Sequence, residues 1–222
     1  MGIFYIVATP IGNLEDISKR ALRILSEVDL ILCEDTRVTQ KLLNRYEIKT
    51  RTMSYHQHTE IKKNEEIVRL LGEGKNIALV SDAGTPGISD PGNKLIEQLS
   101  NSIDQLKIVP VPGPSALTAA ASIAGFSMDR FVFLGFPPVK KKRKKFFEEA
   151  INSRYPVVFY ESPYRIIKTL KEIDLLTERK IVVCRELTKK FETIYRGSAK
   201  DVLAELAKDE IRGEFVVIVK EE

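Results

Sequence analysis

The chain lacks the residues on which several protein classes depend. None of its 222 residues is tryptophan, and only two are cysteine and two histidine. The cysteines, Cys33 and Cys184, each lie in an apolar run, which excludes the disulfide framework of small secreted domains. No cysteine or carboxylate pattern of a metal site accompanies His56 and His58. We therefore expect a protein of the reducing cytoplasm that holds no metal ion.

The chain also lacks an uninterrupted hydrophobic run of membrane-spanning length. Residues 108–128 carry no charge, but three prolines and two glycines interrupt them, which favours a strand, a turn and a buried helix. The N-terminal residues MGIFYIVATP contain no basic leader and no cleavage signature, so we expect no export signal. With 43% hydrophobic and 30% charged residues, the composition is that of a folded, water-soluble protein.

Three signatures of enzyme chemistry are missing as well. The sequence contains neither G-x-G-x-x-G nor a Walker A motif, so a dinucleotide fold and a nucleotide-phosphate loop are not indicated. It contains no G-x-S-x-G nucleophile elbow and no recognisable spacing of cysteine and histidine, which argues against covalent hydrolysis. Any chemistry has to come from other loops.

What the chain does have is a regular alternation of strand-like and helix-like segments. Strand-like runs occupy residues 4–8, 30–33, 51–55, 77–81, 107–111, 131–136, 156–161, 180–187 and 214–220. Helical periods occupy residues 17–27, 37–45, 60–72, 93–99, 115–124, 164–172 and 199–207. This alternation predicts an α/β protein whose sheets are covered on both faces, parallel in the first half and mixed in the second. Gly125 to Arg130 interrupts a helix before the next strand, so we expect two domains, residues 1–124 and 125–222.

Loops that follow strands are where such sheets bind ligands. After the strand at 77–81, residues 82–92 hold three glycines, two prolines and two aspartates. Glycines let a ligand approach the backbone, prolines hold a loop in shape, and carboxylates accept hydrogens from a ribose or an amine. The loops TPIGNLED after the first strand and PGPSA after the strand at 107–111 are of the same kind. Together these loops predict a small-molecule site.

The second half is marked by positive charge. Residues 139–190 contain 15 Lys or Arg against 7 Asp or Glu, and their centre is the basic run Lys140, Lys141, Lys142, Arg143, Lys144 and Lys145. Such a block favours a polyanionic partner, although a solvated surface loop is the alternative. Further charged residues follow strands in the segments ESPYR and RELTKKFE.

Several of these segments are familiar in combination: VATPIGNLEDI, CEDTR, SDAGTPGISDPG, PGPSAL, FLGFPP, ESPYR and RELTKKFE. In this order the chain resembles the ribosomal RNA small-subunit methyltransferase I family of the tetrapyrrole methylase superfamily. Members of that family methylate the ribose 2′-oxygen of a decoding-centre cytidine in 16S rRNA. The resemblance spans essentially the whole chain. Many members continue into a C-terminal extension that this sequence does not have, which affects the expected docking of the substrate.

The resemblance implies a fold, a cofactor and an assembly. It implies two α/β domains of the class III methyltransferase type, with S-adenosylmethionine in the cleft between them, and a homodimer. Carried over residue by residue, the cofactor would contact Pro10, Asp82, Ala83, Gly84, Thr85, Ile88, Ser115, Ala116, Tyr160 and Glu161.

The acceptor is the harder chemical problem. A ribose hydroxyl is a weak nucleophile unless its proton is accepted or a cation stabilises the developing alkoxide. From their positions, Glu161 and Glu186 are the candidate bases. The candidates for orienting phosphate or stabilising charge are Arg37, Arg185 and Lys189. RNA phosphates would contact Lys140, Lys141, Lys142, Arg143, Lys144, Lys145, Arg165 and Arg185, which gives affinity without sequence information.

Two other functions remain open on the sequence. The same fold serves methylases of tetrapyrroles and other small molecules. A non-catalytic RNA-binding protein of ribosome assembly would keep the fold and lose affinity for the cofactor.

Overall fold

The computed structural model describes residues 1–56, 61–208 and 210–222, and only the backbone of residues 61 and 62. His58 and residue 60, the expected start of a helix, lie outside the described residues. By backbone contacts the chain divides into two compact units, Met1–Ser115 and Ala116–Glu222. This division differs from the boundary expected after residue 124 by one short helix.

The first unit is a parallel sheet flanked by helices. Its strands are β1 (Ile3–Val7), β2 (Leu30–Cys33), β3 (Thr52–Ser54), β4 (Ile77–Leu79) and β5 (Lys107–Val111). Its helices are α1 (Lys19–Glu27), α2 (Thr36–Arg45), α3 (Ile61–Gly72) and α4 (Asn93–Ser102). The strands pair in the order β3-β2-β4-β1-β5, all parallel, which confirms the predicted sheet.

Both faces of this sheet are buried, because every residue of β2 is apolar and successive side chains point to opposite faces. Ile31 packs in one cluster with Leu25 of α1 and Leu43 of α2. Leu32 packs in another with Leu71 of α3 and Leu99 of α4. The sheet is therefore covered on each side by two helices.

Strand β5 forms one edge of this sheet and, among the residues that the structure describes, pairs with β1 alone. Lys107 and Pro110 on this strand are exposed. The Val111 carbonyl accepts a hydrogen bond from the Ala8 N–H, so the backbone of the preceding residue, Pro110, faces outward.

The second unit is built on a mixed sheet. Its helices are α5 (Ala116–Ser122), α6 (Arg143–Asn152), α7 (Ile166–Asp174) and α8 (Ala199–Leu206). Its strands are β6 (Val132–Phe133), β7 (Val157–Glu161), β8 (Ile181–Arg185), β9 (Thr193–Gly197) and β10 (Phe215–Val219). They pair in the order β6-β7-β10-β8-β9, parallel between β6 and β7 and antiparallel elsewhere, as predicted.

Helix α5 belongs to the second unit because it packs on that sheet. One face of the sheet is covered by α6, α7 and α8, whose apolar residues cluster around Phe159 and Val217. On the same unit the Arg196 guanidinium donates hydrogen bonds to the carbonyls of Ile123 and Ala124, just after α5. The boundary expected after residue 124 would place α5 in the first unit. The small residues of α5 instead allow it to pack on strands β7 and β10 of the second sheet.

The uncharged stretch 108–128 forms most of β5 and all of α5. In the described parts of the chain, no helix is both long enough and apolar enough to cross a membrane.

Candidate functional site

The carboxyl ends of β1, β2, β4 and β5 lie at the same end of the first sheet because these strands are parallel. We call this end of the sheet its carboxyl edge. Here the loop after β1 is joined to the glycine-rich loop after β4. Thr9 donates its N–H to the Gly84 carbonyl at 2.9 Å, and the Gly84 N–H returns a bond to the Thr9 carbonyl at 3.0 Å. The Thr9 hydroxyl also donates to the Ser81 carbonyl at 3.0 Å. Thr9 was not among the expected site residues, because its role depends on the pairing of β1 with β4.

Gly84 sits at the centre of this edge in a backbone conformation that favours glycine. Its φ is +83°, and a Cβ atom there would lie 3.4 Å from Ile11 Cγ2 and 3.8 Å from the Pro114 carbonyl oxygen. The next residue, Thr85, donates its hydroxyl to that same carbonyl at 3.2 Å. The loops after β1, β4 and β5 are therefore fastened to one another around Gly84.

The rest of the glycine-rich loop is closed by the start of α4. The Asn93 side-chain amide donates to the Gly87 carbonyl at 2.9 Å. A Cβ at Gly92 would lie 3.0 Å from Leu79 Cδ2, so the loop runs tightly over the end of β4. Ile88 is exposed at its outer side.

Carboxylates stand at the same edge. Asp82 accepts the Asp35 N–H at 3.0 Å, which joins the loops after β4 and β2. Asp35 forms a two-point ion pair with the exposed Arg37, with Nη2–Oδ2 at 2.7 Å and Nε–Oδ1 at 3.0 Å. These hydrogen bonds from Arg37 lower the pKa of the Asp35 carboxyl to about 2. Asp35 is therefore anionic at neutral pH, and Arg37 is engaged with it.

The expected cofactor residues fall into two groups. Pro10, Asp82, Ala83, Gly84, Thr85, Ile88 and Ser115 lie at this edge of the first unit. Ala116, Tyr160 and Glu161 belong to the second unit. The Tyr160 ring there meets Phe133 and Phe136 edge to face at 5.0 and 5.4 Å.

Glu161, at the end of β7, is fully buried and bonded through both oxygens. Oε1 accepts the Ser162 N–H at 2.8 Å and pairs with Arg165 at 2.8 Å. Oε2 accepts the Thr169 hydroxyl at 2.5 Å and lies 3.7 Å from Arg143 Nη2. A general base has to reach the proton that it removes. The geometry therefore argues against Glu161 as the base and makes it a structural anchor.

Arg143 does not face solvent with the rest of the basic run, which corrects the expectation that it contacts RNA. It is 5% exposed and donates to Glu172 at 2.7 Å, to the Thr169 hydroxyl at 2.6 Å and to the Pro138 carbonyl at 3.1 Å. It begins α6 and points inward, where its guanidinium lies 5.0 Å from the Phe147 ring centre. The other members of the run are exposed: Lys140, Lys141, Lys142, Lys144 and Lys145.

Arg185 and Arg165 also differ from the expected RNA contacts. Arg185 is buried, and its Nε donates to the Arg212 carbonyl at 3.0 Å, so the structure contradicts a direct phosphate contact. Arg165 is partly exposed but donates to the Pro137 carbonyl at 2.9 Å besides its pair with Glu161. Both arginines hold loops in place.

Glu186 and Lys189 form a second ionic cluster after β8. The Glu186 carboxylate accepts from Lys189 Nζ at 2.7 Å and from the Glu214 N–H at 3.0 Å. Gly213 makes room for it, since any Cβ there would overlap the Glu186 side chain. Burial, the largest influence, acts to raise the pKa of Glu186, but these hydrogen bonds outweigh it and leave the pKa below its ordinary value.

The lowered pKa of Glu186 predicts a pH dependence of stability. A carboxyl whose pKa is lower in the folded state stabilises the fold above its unfolded pKa, about 4.3, and this contribution disappears as pH falls through the folded pKa. We expect Glu186→Gln to be less stable than the wild-type protein at pH 7, and the difference to shrink below about pH 4. Urea unfolding at pH 7, 5 and 3.5 measures it. The exposed Glu178→Gln removes the same charge as a control; a constant deficit at all three pH values would contradict the prediction.

Comparisons with known proteins define the class. A family model described as Tetrapyrrole (Corrin/Porphyrin) Methylases matches residues 4–203. The crystal structure of the methyltransferase CobJ is similar over 100% of this chain and 95% of its own, with a TM-score of 0.72 and 20% identity. The chain belongs to the tetrapyrrole methylases, and its two α/β units have their fold.

Relatives with higher identity are more specific. The ribosomal RNA small subunit methyltransferase I of Thermotoga maritima is 44% identical over 220 residues, covering 99% of this chain and 98% of that protein. The protein of that name in Vibrio cholerae is 48% identical over 223 residues, covering 98% and 76%. The chain belongs to the ribosomal RNA small subunit methyltransferase I family. It is a methyltransferase whose methyl donor is S-adenosylmethionine, which confirms the predicted enzyme class and cofactor.

The carboxyl edge of the first sheet fits this cofactor chemically. S-adenosylmethionine carries an ammonium and ribose hydroxyls, whose hydrogens carboxylate and backbone oxygens accept. It also carries a sulfonium, whose positive charge carboxylates attract. Asp35 and Asp82 supply carboxylates at the edge, and Ala83, Thr85 and Ser115 are half-buried there. The individual cofactor contacts stay predictions.

Proposed function

We propose that this protein transfers a methyl group from S-adenosylmethionine to the ribose 2′-oxygen of a decoding-centre cytidine in 16S rRNA of the small ribosomal subunit. The observation that carries the proposal is 44% identity to a ribosomal RNA methyltransferase across nearly the full length of both chains. The glycine-rich loop fastened around Gly84 supports it. The proposal includes the cytoplasmic location expected from the two cysteines in apolar runs and the homodimer that the resemblance implies.

The chain's own residues divide the work. The cofactor supplies a methyl group already activated by the sulfonium. The loops fastened around Gly84 would hold the cofactor in line with the acceptor and keep water away from the methyl group, which is the main requirement of an in-line transfer. Each loop is held by bonds to another: Thr9 to Gly84 and Thr85 to Pro114. The positions of these loops are therefore fixed before the acceptor binds.

The acceptor hydroxyl needs a group that accepts its proton or stabilises its developing charge. With Glu161 buried, Glu186 is the remaining candidate base, but its lowered pKa makes it a weak one at neutral pH. Lys189, half-buried beside it, is better suited to stabilise a developing alkoxide. We therefore assign charge stabilisation to Lys189 and positioning of its ammonium to Glu186. Arg37 stays a candidate cation at the first unit.

The deciding experiment incubates the protein with methyl-labelled S-adenosylmethionine and unmodified small ribosomal subunits. Nucleoside mass spectrometry of the digested rRNA then maps the label. We expect 2′-O-methylcytidine at the decoding centre. Cofactor binding without label in rRNA would point to another acceptor, such as a tetrapyrrole. Absence of both label and cofactor binding would favour a non-catalytic RNA-binding protein.

The exposed lysines of the basic run should give RNA binding its salt dependence. Each phosphate contact to single-stranded nucleic acid contributes about 0.7 to the slope of log affinity against log salt. We expect replacement of Lys140, Lys141, Lys144 and Lys145 by glutamine to reduce that slope by up to about 3. Titrations of an rRNA fragment at several salt concentrations measure it. The control replaces the exposed Lys19, Lys41, Lys49 and Lys107 of the first unit, which changes net charge equally; equal slopes for the two variants would contradict the prediction.

A further inference from the structure

The register of the second sheet brings several strand ends into one row. Glu161 of β7 pairs with Phe215 of β10, Phe215 pairs with Arg185 of β8, and Arg185 pairs with Thr193 of β9. Tyr160 donates its N–H to the Gly135 carbonyl, so Phe136 follows β6 beside the same row. We call the segments just beyond this row the Glu161 edge; they are residues 135–138, 162–165, 186–192 and 212–214.

Three aromatic side chains are exposed along the Glu161 edge. Phe136 is 50% exposed, Phe191 is 59% exposed and Tyr164 is 96% exposed. Aromatic rings contribute large apolar areas that proteins normally bury. Since neighbouring strands lie about 4.8 Å apart, the five strands of the sheet span about 19 Å. The segments that carry the rings are therefore distributed along one end of the sheet, over a length that several unstacked nucleotides can span.

Arg165 holds the backbone next to two of the rings. This arginine pairs with the buried Glu161 at the base of the turn that carries Tyr164. Its Nη1 also donates to the carbonyl of Pro137, the residue after Phe136. One anchored side chain thus fixes the backbone next to both rings, which lowers the entropy that binding would cost.

Phe191 lies in a turn of its own. The Thr188 N–H donates to the Glu192 carboxylate at 2.7 Å, and the Glu192 N–H donates to the Lys189 carbonyl at 3.1 Å. These bonds close the turn around Phe191. An exposed ring on a closed turn is a preformed contact surface.

Cations accompany the rings. Lys190 Nζ lies 5.5 Å and Arg212 Cζ 5.8 Å from the centre of the Phe191 ring. The lysines at 140–142 follow Phe136 closely in sequence and are exposed. Proteins bind single-stranded nucleic acid by stacking its bases on aromatic rings and by contacting its phosphates with cations. A second copy of the chain fits less well, because a two-fold contact here would bring these cations close to their own copies.

We propose that the Glu161 edge binds single-stranded RNA by stacking unpaired bases on Phe136, Tyr164 and Phe191, with the neighbouring cations contacting its phosphates. The inference rests on the proposed function in taking RNA as the substrate. Beyond that function, it assigns a binding surface for unpaired nucleotides, and it identifies the flat face of each base as the feature that the protein recognises. Glu161, Arg143 and Arg165 are then positioning residues for this surface.

The test compares two probes of equal charge. One is a fluorescent single-stranded RNA of about 12 nucleotides, and the other is the same backbone without bases. Base stacking on an aromatic ring is worth about five- to 150-fold in affinity per ring. We expect Tyr164→Leu and Phe191→Leu each to bind the RNA about tenfold more weakly and to bind the abasic strand unchanged. Tyr164→Phe and Phe191→Tyr should keep wild-type affinity, and so should Leu175→Ala, which removes an 85% exposed apolar side chain after α7.

Three results would overturn the inference. They are an unchanged RNA affinity in the leucine variants, an equal loss for the abasic strand, and no binding of the RNA by the wild-type protein. If the leucine variants instead turn a dimer into a monomer at unchanged RNA affinity, the edge is a contact between copies. The methylation assay on small subunits reports separately on the proposed function, because aromatic-dependent RNA binding without methylation would leave this inference standing.

Discussion

Gly84→Leu should bind S-adenosylmethionine at least about 100-fold more weakly, a loss of about 2.7 kcal/mol. At φ +83° any side chain is strained, and a Cβ already lies 3.4 Å from Ile11 and 3.8 Å from the Pro114 carbonyl. These distances leave room for a Cβ in ordinary contact but little for a larger group, so we expect the leucine side chain to displace the glycine-rich loop together with Ala83 and Thr85. Isothermal titration calorimetry with the purified variant measures the affinity.

The matched control for that variant is Gly74→Leu. Gly74 has nearly the same φ, +86°, and follows α3 outside the glycine-rich loop. Apart from its chain neighbours, nothing in the described part of the protein lies within 4 Å of the place that a Cβ at Gly74 would take. Both variants should lose about 1–2 kcal/mol of unfolding free energy from the backbone strain. Only the change at Gly84 should affect the cofactor, and unchanged affinity in a folded Gly84→Leu protein would place the cofactor elsewhere.

Glu161→Ala should lower the free energy of unfolding by about 3–5 kcal/mol, because removing one partner of a buried ion pair leaves the other charge uncompensated. Here the remaining charges are Arg143 and Arg165, and the Thr169 hydroxyl loses its acceptor. Urea unfolding at neutral pH measures the loss. Lys144→Ala, which removes an exposed side chain beside Arg143, should change stability by less than about 0.5 kcal/mol.

A double replacement separates the ionic contribution from packing. Glu161 and Arg143 are the most buried charges of this cluster, whereas their partners Arg165 and Glu172 are partly exposed to solvent. When both buried charges become apolar, the part of the penalty that comes from an uncompensated buried charge disappears. The combination of Glu161→Leu with Arg143→Leu should therefore be more stable than Glu161→Leu alone. A double variant at least as unstable as the single one would show that shape and hydrogen bonds, rather than charge, hold this part of the fold.

The fold was predictable because most of its strands coincide with segments rich in apolar residues. LILC and KIVPV coincide with β2 and β5, and the change from a parallel to a mixed sheet was expected correctly. Strand β9 was missed, since Thr193–Gly197 has a single buried residue and follows a charged segment. Its pairing with β8, rather than its own composition, makes it a strand.

The side chains of the site were less predictable than the loops that carry them. The position of Gly84 and Asp82 in a loop at the carboxyl ends of the strands was predictable, because glycine and carboxylate directly after a strand indicate a binding loop; their contacts with the cofactor stay predictions. The burial of Arg143 and Glu161 depends on tertiary contacts with Thr169, eight residues beyond Glu161. A run of six basic residues does not indicate which of them begins a helix and points inward.

The outward-facing backbone of Pro110 limits how the first unit can associate. Proline has no N–H, so the free side of β5 presents an interrupted row of donors, and the exposed Lys107 adds a charge to it. A second molecule cannot extend this sheet by adding a strand along the whole of β5. Growth of the parallel sheet into a fibre is disfavoured at this border for the same reason.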